Sequence, residues 1–145
     1  MDKKYIYLDH TADAKFQAFG TTLEEAFVNS ACAMIGVMCD IPRRNPSRKK
    51  YIRVTGKDKE SLLCNFLEEV LFLFDSGHFL TFNVPKLTII ERGSSYFLSA
   101  TLSGDSAEKY EFFSLVKGIT YNEMFVKEEF FGRKKKFIIQ VVVDI

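Results

Sequence analysis

The spacing of hydrophobic positions changes along the chain, from mainly helical periods in the first half to alternation in the second. From Leu23 to Met38 and from Leu62 to Phe74, apolar residues recur every three or four positions, which predicts two amphipathic helices. Beyond these helices, apolar and polar residues alternate, which predicts strands at 79–82, 87–90, 96–102, 119–127 and 136–143. Shorter strands are expected at 5–8, near 16–19 and at 51–54, the last at a sheet edge.

Polar residues beside these apolar runs predict where the helices begin and end. Thr22 precedes Glu25 by three positions, the spacing of a capping box, and Asp58 is placed to cap the second helix. Gly77 is expected to end that helix, because glycine adopts the left-handed conformation of many C-termini. The first helix is expected to end before Pro42.

Two helices packed on one face of a mostly antiparallel sheet form an α+β two-layer sandwich, and this is the fold class that we predict. The N-terminal strands are expected to join the sheet. A chain of 145 residues without repeats or linkers corresponds to a single domain at 1–145. A chain of this length buries close to ~70% of its unfolded surface, so its folding needs neither a disulfide nor a metal.

The overall charge gives no general attraction to polyanions, because 20 Lys and Arg are balanced by 19 Asp and Glu. Any affinity for nucleic acid would come from local patches. Two basic segments stand out, a loop at 43–50 and a turn at 133–136. Each is either a solvated charged surface or a contact for RNA or a partner, and the two would form one patch if they lie on the same side.

Cysteine usage and the N-terminus indicate a protein of the cytoplasm. Cys32, Cys39 and Cys64 are odd in number and lack the paired spacing of metal ligands, so we interpret them as buried thiols in a reducing compartment. The N-terminus does not resemble a signal peptide, and no apolar run approaches the length that spans a membrane.

Chemistry-bearing side chains are concentrated between the first two predicted strands, in Asp9, His10, Thr11 and Asp13. Acids and hydroxyls at such a turn either cap backbone amides or hold a cation or substrate. His10 is either a general base or a hydrogen-bonded turn histidine. Familiar motifs of hydrolases, nucleotide-binding loops and zinc proteases are absent from the sequence.

The last strand ends with Asp144 and Ile145, so a side-chain carboxylate and the terminal carboxylate are adjacent. If this strand lies beside the first ones, Asp13, Asp144 and the terminus of Ile145 would meet and could hold a hard cation such as Ca²⁺ or Mg²⁺. The alternative is a frayed C-terminus. Lys117, just before Gly118, is either presented for function or simply solvated.

The chain resembles the archease family, and four segments carry the resemblance. They are Leu-Asp-His-Thr-Ala-Asp at 8–13, the helix start at 20–27, Val-Lys-Gly-Ile-Thr-Tyr-Asn-Glu-Met at 116–124 and Val-Asp-Ile at 143–145. Archeases are small α+β proteins that assist the RtcB-type RNA ligase, which joins tRNA exon halves using GTP and a divalent metal. They are not ligases themselves, and they promote guanylylation of the ligase and its repeated turnover.

This resemblance implies a non-catalytic activator whose divalent metal is held by Asp13, Asp144 and Ile145, with Ca²⁺ as the expected ion and Mg²⁺ or Mn²⁺ as alternatives. It implies that Lys117 is the functional lysine, and that tRNA or other RNA ends are met through the ligase, away from any membrane. The chain departs from the family pattern at 122–123, where Asn and Glu stand.

Two other functions fit the same residues. One is a stand-alone metal-dependent phosphoesterase, with Asp13 and Asp144 as ligands and His10 as base. The other is a chaperone-like modulator of an RNA-modifying enzyme, in which Arg43, Arg44 and Lys134 would matter more than Asp13.

Overall fold

The computed structural model describes residues 3–9 and 13–145. Its elements in chain order are β1 (Tyr5–Leu8), β2 (Asp13–Gly20), α1 (Leu23–Met38), β3 (Arg48–Gly56), α2 (Lys59–Gly77), β4 (Phe79–Arg92), β5 (Ser95–Ser106), a short 3-10 helix (Ala107–Lys109), β6 (Gly118–Phe131) and β7 (Lys134–Asp144).

The strands form two antiparallel sheets. The first has four strands in the order β1-β2-β7-β6, and the second has three in the order β3-β5-β4. The predicted α+β class is confirmed, and the N-terminal strands do pair with the C-terminal ones. The expectation of one continuous sheet was wrong, because residues 107–117 leave regular strand structure and separate the β4–β5 hairpin from the β6–β7 hairpin.

One hydrophobic core joins both sheets to both helices. Phe16 on β2, Phe27 on α1, Phe66 on α2 and Leu98 on β5 all belong to it and are almost completely buried. The rings of Phe27 and Phe66 lie 6.0 Å apart between centroids, where the two helices meet. Each helix also packs against strands of both sheets. The apolar stripes predicted from the sequence therefore face this core.

Helix ends follow the predicted caps with two differences. The Thr22 hydroxyl accepts a hydrogen bond from the amide of Glu25 at 3.1 Å, but the Glu25 carboxylate accepts from Thr21, one residue before the expected partner. Asp58 caps α2 by accepting from the amide of Ser61 at 2.7 Å. Gly77 remains helical, and His78 takes the left-handed conformation at φ 53°.

Several other boundaries differ from expectation. The two strands expected at 79–82 and 87–90 are one strand, β4, with register shifts between Thr81 and Lys86 around Pro85. Residues 48–50 of the predicted basic loop belong to β3. Cys39 and Cys64 are buried as expected, whereas Cys32 is only partly so. Within the described ranges, no helix has the length and hydropathy needed to cross a membrane.

The two basic segments lie at opposite ends of α1, so they do not form one patch. The Nζ of Lys136 lies 4.3 Å from the ring centroid of Phe19, just before the N-terminus of α1. Arg44, beyond the C-terminus of α1, donates to the Tyr110 hydroxyl at 2.8 Å and to Asp105 at 3.2 Å. Arg44 is thus engaged within the protein.

Candidate functional site at the end of the four-stranded sheet

Strands β2 and β7 bring two acidic residues together. Their ladder runs without a register shift from the pair Asp13 and Asp144 to the pair Gly20 and Phe137. Directly opposed residues of an antiparallel ladder point to the same side, with Cβ atoms about 5 Å apart. The predicted meeting of these two chain segments is therefore present, while the role of the carboxylates as metal ligands stays a prediction.

Alternation along β2 decides which side of the sheet carries the acids. Phe16 and Ala18 are completely buried against the helices, and Ala14 belongs to the same side. Asp13 and Lys15 consequently lie on the opposite side, together with Asp144. Asp144 and Ile145 are exposed, and Asp13 is half-buried.

Lys117 joins this sheet end through its backbone. Its N–H donates to the carbonyl oxygen of Asp144 at 2.7 Å, and the next residue, Gly118, opens β6 opposite Asp144. The Lys117 side chain is exposed. All four positions predicted from the sequence, Asp13, Lys117, Asp144 and Ile145, therefore converge at one end of the sheet.

The segment that leads to Lys117 is fixed by both helices. The Phe112 ring packs edge-on against Phe74 near the end of α2, with 5.1 Å between centroids. The amide of Phe113 donates to the carbonyl of Met38, the last residue of α1, at 3.0 Å. Val116 is buried. These contacts position the lysine without involving its side chain.

A bulge in β6 covers the sheet beside the acids. Thr120 is opposite Val142, and the next pair is Phe125 with Gln140, so residues 121–124 stand out of the ladder. Val142 is fully buried although it lies on the side of the sheet that carries the two acids, away from the helices. Glu123 adopts φ 55°, a conformation that favours glycine, and its main-chain carbonyl accepts a hydrogen bond from the side-chain Nε2 of Gln140 at 2.8 Å.

Lys15 is a residue of this region that the sequence analysis missed. Its ammonium pairs with the Glu123 carboxylate at 3.2 Å, and its side chain as a whole is mostly buried. The signal for it was available, because residues two apart on a strand share a side and Lys15 follows Asp13 by two. Glu123, in the segment expected to depart from the archease pattern, thus supplies a carboxylate that binds Lys15.

Comparison with known proteins gives the family. The family described as "Archease protein family (MTH1598/TM1083)" matches residues 5–145. The chain belongs to the archease family. The protein archease of Methanosarcina mazei is 37% identical over 145 residues, covering 99% of this chain and 97% of the relative. That of Pyrobaculum neutrophilum is 38% identical over 144 residues, covering 97% and 95%.

A solved structure agrees with this assignment. The solution structure of Methanobacterium thermoautotrophicum protein 1598 matches with a TM-score of 0.82 and 30% identity, over 98% of this chain and 99% of that one. The archease fold therefore extends over almost the full length of both chains.

The donor atoms at this sheet end fit a hard cation. Among residues 3–9 and 13–145, no three side chains of the His, Cys, Asp and Glu types form a metal-binding group. A cation here would draw on the carboxylates of Asp13 and Asp144 together with main-chain oxygens or the carboxyl group of Ile145. Such an all-oxygen set suits Ca²⁺, Mg²⁺ or Mn²⁺ and not zinc. His10 of the archease-like motif lies outside the described residues.

The thiol nearest to the β6 bulge is not a nucleophile. Burial raises the pKa of Cys64, and its Sγ donates to the Glu68 carboxylate at 3.4 Å. Tyr121, in the bulge, has its pKa raised to about 12, first by its hydrogen bond with Cys64 and then by burial. A thiol with a raised pKa stays mostly protonated near neutral pH and reacts slowly, which is consistent with a packing role for Cys64.

Proposed function

We propose that this archease-family chain is a metal-binding accessory protein that activates an RtcB-type RNA ligase in tRNA splicing, promoting ligase guanylylation and multiple turnover. Family membership supports an archease-type accessory role. The observation that carries the more specific function is the cross-strand pairing of Asp13 with Asp144 beside Lys117. In this proposal the chain is an activator and not itself a catalyst.

Asp13, Asp144 and the carboxyl group of Ile145 would hold one divalent cation, with Ca²⁺ as the expected ion and Mg²⁺ or Mn²⁺ as alternatives. Two carboxylates on directly opposed residues repel each other, and a cation between them relieves this repulsion. When bound, the cation would add positive charge that attracts phosphate oxygens. The all-oxygen donor set supports this assignment.

Lys117 would act beside the cation as a second positive charge. A lysine ammonium is a compact charge that binds phosphate without a fixed geometry, which suits contact with a nucleotide held by another protein. Its backbone is anchored while its side chain is exposed at the edge of the molecule. We infer that this edge enters the ligase active site and stabilises charge during guanylylation, a role of the kind that lysines and metals play in phosphoryl transfer.

The experiment is a guanylylation assay of a cognate ligase with GTP and increasing amounts of this protein. Asp13→Asn, Asp144→Asn and Lys117→Met are expected to abolish most of the stimulation, because each removes a ligand or a charge at the sheet end. Asp75→Asn changes an exposed acid on α2, and Lys134→Met changes an exposed lysine on the β6–β7 hairpin, so both are matched controls.

Full stimulation by the three folded site variants would refute the proposal. Loss of stimulation in Lys134→Met alone would instead favour a modulator that works through its basic segments. The chain without ligase is expected to release no phosphate from phosphoesters in the presence of Mg²⁺ or Mn²⁺, and turnover there would favour the phosphoesterase alternative.

A further inference from the structure

We infer that the outer side of the three-stranded sheet is a docking surface for single-stranded RNA, a function separate from ligase activation. The side that faces the helices buries Ile52, Leu98 and Ala100. The other side, called the open face below, presents two aromatic rings together with cations and hydroxyls, among them Tyr51, Phe97, Arg53, Lys86, Ser99 and Thr101.

The strand register arranges these side chains in rows. Tyr51 on β3 is opposite Thr101 on β5, which is opposite Lys86 on β4. The second row joins Arg53, Ser99 and Thr88, and the third joins Thr55, Phe97 and Ile90. Because cross-strand partners share a side, all these positions belong to one surface.

The two rings are placed as stacking platforms. Tyr51 is 78% exposed and Phe97 is 43% exposed, although large aromatic side chains usually bury most of their surface. Thr101, the partner of Tyr51, lies four positions after Phe97 on β5, which separates the two rings by about 14 Å along the strand direction. Two bases of one extended strand can stack on them, with intervening nucleotide between.

The charges of the open face complement a phosphate backbone. Arg53 lies in the row between the two rings, and Lys86 lies in the row of Tyr51. Lys49 and Arg92 extend the same side at its two ends. The rows contain no acidic residue, and the nearby Glu91 is opposite Tyr96, with which it forms a hydrogen bond on the other side. The whole chain has a net charge of only +1, so this surface is a local concentration of positive charge.

Hydroxyl groups and a depression favour RNA as the occupant. Thr55, Thr88, Ser99 and Thr101 put hydroxyls among the rings and cations, where they can bond ribose 2′-hydroxyls, the group that distinguishes RNA from DNA. Beside Phe97 lies an open depression of about 400 Å³ that Thr55 and Asn65 also line. Rings exposed on a sheet suit unpaired bases, since bases within a duplex cannot stack on protein side chains.

The experiment measures binding of the protein alone, by fluorescence anisotropy, to a labelled RNA of about eight nucleotides, within the site size of single-strand binders. Tyr51→Ala and Phe97→Ala are each expected to weaken binding about 5-fold to 100-fold, whereas Tyr51→Phe keeps the ring and the affinity. Arg53→Gln should reduce the slope of log affinity against log salt by about 0.7.

Phe130→Ala is the matched aromatic control, because Phe130 is 67% exposed on the distant β6–β7 hairpin. The RNA affinity of this variant should equal that of the wild type. No binding by the wild type at about 50 mM salt would overturn the inference. Unchanged RNA affinity in both Tyr51→Ala and Phe97→Ala would also overturn the inference. A loss of affinity confined to Lys134→Gln would overturn it as well, because RNA would then bind at the hairpin. Tighter binding of DNA of the same sequence would overturn the choice of RNA. None of these measurements involves the ligase, so they are independent of the proposed activation.

Discussion

The main-chain N–H of Lys117 donates to the carbonyl oxygen of Asp144 across 2.7 Å. The lysine and the acidic pair are therefore placed relative to each other by backbone hydrogen bonds, and the Asp13–Asp144 ladder adds a second backbone constraint. We therefore expect side-chain substitutions at this sheet end to leave the strands in place, so the proposed contributions of a cation and of the lysine can be tested separately.

Lys117→Met should separate the effect of the lysine charge from the effect of cation binding. Ca²⁺ affinity is expected to stay the same or to rise by less than about tenfold, because removing an exposed positive charge weakens repulsion of the cation only slightly in water. Stimulation of ligase guanylylation should fall to the level without the protein. Calorimetric Ca²⁺ titration and the guanylylation assay measure the two effects. A drop in Ca²⁺ affinity as large as that of Asp13→Asn would make Lys117 part of the metal site's structure and contradict the separation.

Extending the chain past Ile145 by a Gly-Ser dipeptide should weaken Ca²⁺ binding by about tenfold or more. The extension turns the carboxylate of Ile145 into an amide, which removes one anionic oxygen donor from the set. The measurement is a Ca²⁺ titration after treatment with excess chelator. The same dipeptide added at the N-terminus is the control, and equal affinity in the two proteins would remove Ile145 from the ligands.

Asp105→Asn should lower the melting temperature at neutral pH and make the melting temperature less dependent on pH in the acidic range. The buried Asp105 carboxylate accepts from the Ser106 amide at 2.7 Å and the Ser47 hydroxyl at 2.8 Å, and it pairs with Lys109 and Arg44 at 3.2 Å. The hydrogen bond from the backbone N–H of Ser106 is the largest cause that holds the pKa of Asp105 well below its usual 3.8. Since the folded-state pKa is the lower one, the stabilisation is complete above the unfolded pKa and is lost as the pH falls toward the folded pKa.

The measurement is the melting temperature between neutral pH and about pH 2, the range that covers the usual carboxyl pKa and the values below it. The wild type should lose stability steeply below about pH 4, and Asp105→Asn less steeply. Asp75→Asn, at an exposed position, should follow the wild-type curve. Parallel curves for the wild type and Asp105→Asn would show that this carboxylate does not govern acid unfolding.

Gly36→Ala should destabilise the protein by about 1 kcal/mol, the low end of overpacking costs, because the half-exposed Tyr7 side chain that it meets can partly shift. A Cβ at this position on α1 would collide with the hydroxyl of Tyr7, which donates to the carbonyl of Ala33 at 2.9 Å. In a Tyr7→Phe background the colliding oxygen is gone. There the same substitution should be close to neutral or stabilising, because alanine favours a helix over glycine by up to about 1 kcal/mol. Denaturant unfolding of the four proteins gives the coupling, and additive effects would contradict the collision.

Helices were predictable from the sequence, because their apolar spacing and their caps involve residues close together in the chain. The apolar period of 23–38 and 62–74 gave both helices, and the Asp58 cap was correct because its partner, Ser61, is three residues away. The left-handed residue that ends α2 was predicted to be Gly77 but is His78. Either residue could end the helix by its local sequence, so tertiary contacts decide which one does. Here the carbonyl of His78 accepts from the amide of Ala107.

The placement of Asp13 beside Asp144 was expected only on the condition that the first and last strands pair, and the β2–β7 register meets that condition. The division into two sheets, the β6 bulge and the open face depend on which strands pair and in which register. Tyr51 and Phe97 carry no local sign of sharing a surface, and neither do Arg44 and Asp105, which are 61 positions apart. Such long-range pairings have no periodic signature in one sequence.

The sheet end that carries Asp144 and the turn at Gly132 are separated by the whole length of β7. Ten residue steps of antiparallel strand correspond to about 34 Å. A fluorophore or an affinity handle inserted at that turn would therefore leave the acidic pair and Lys117 untouched, so the turn is a suitable point for immobilising the protein when its proposed partner is tested.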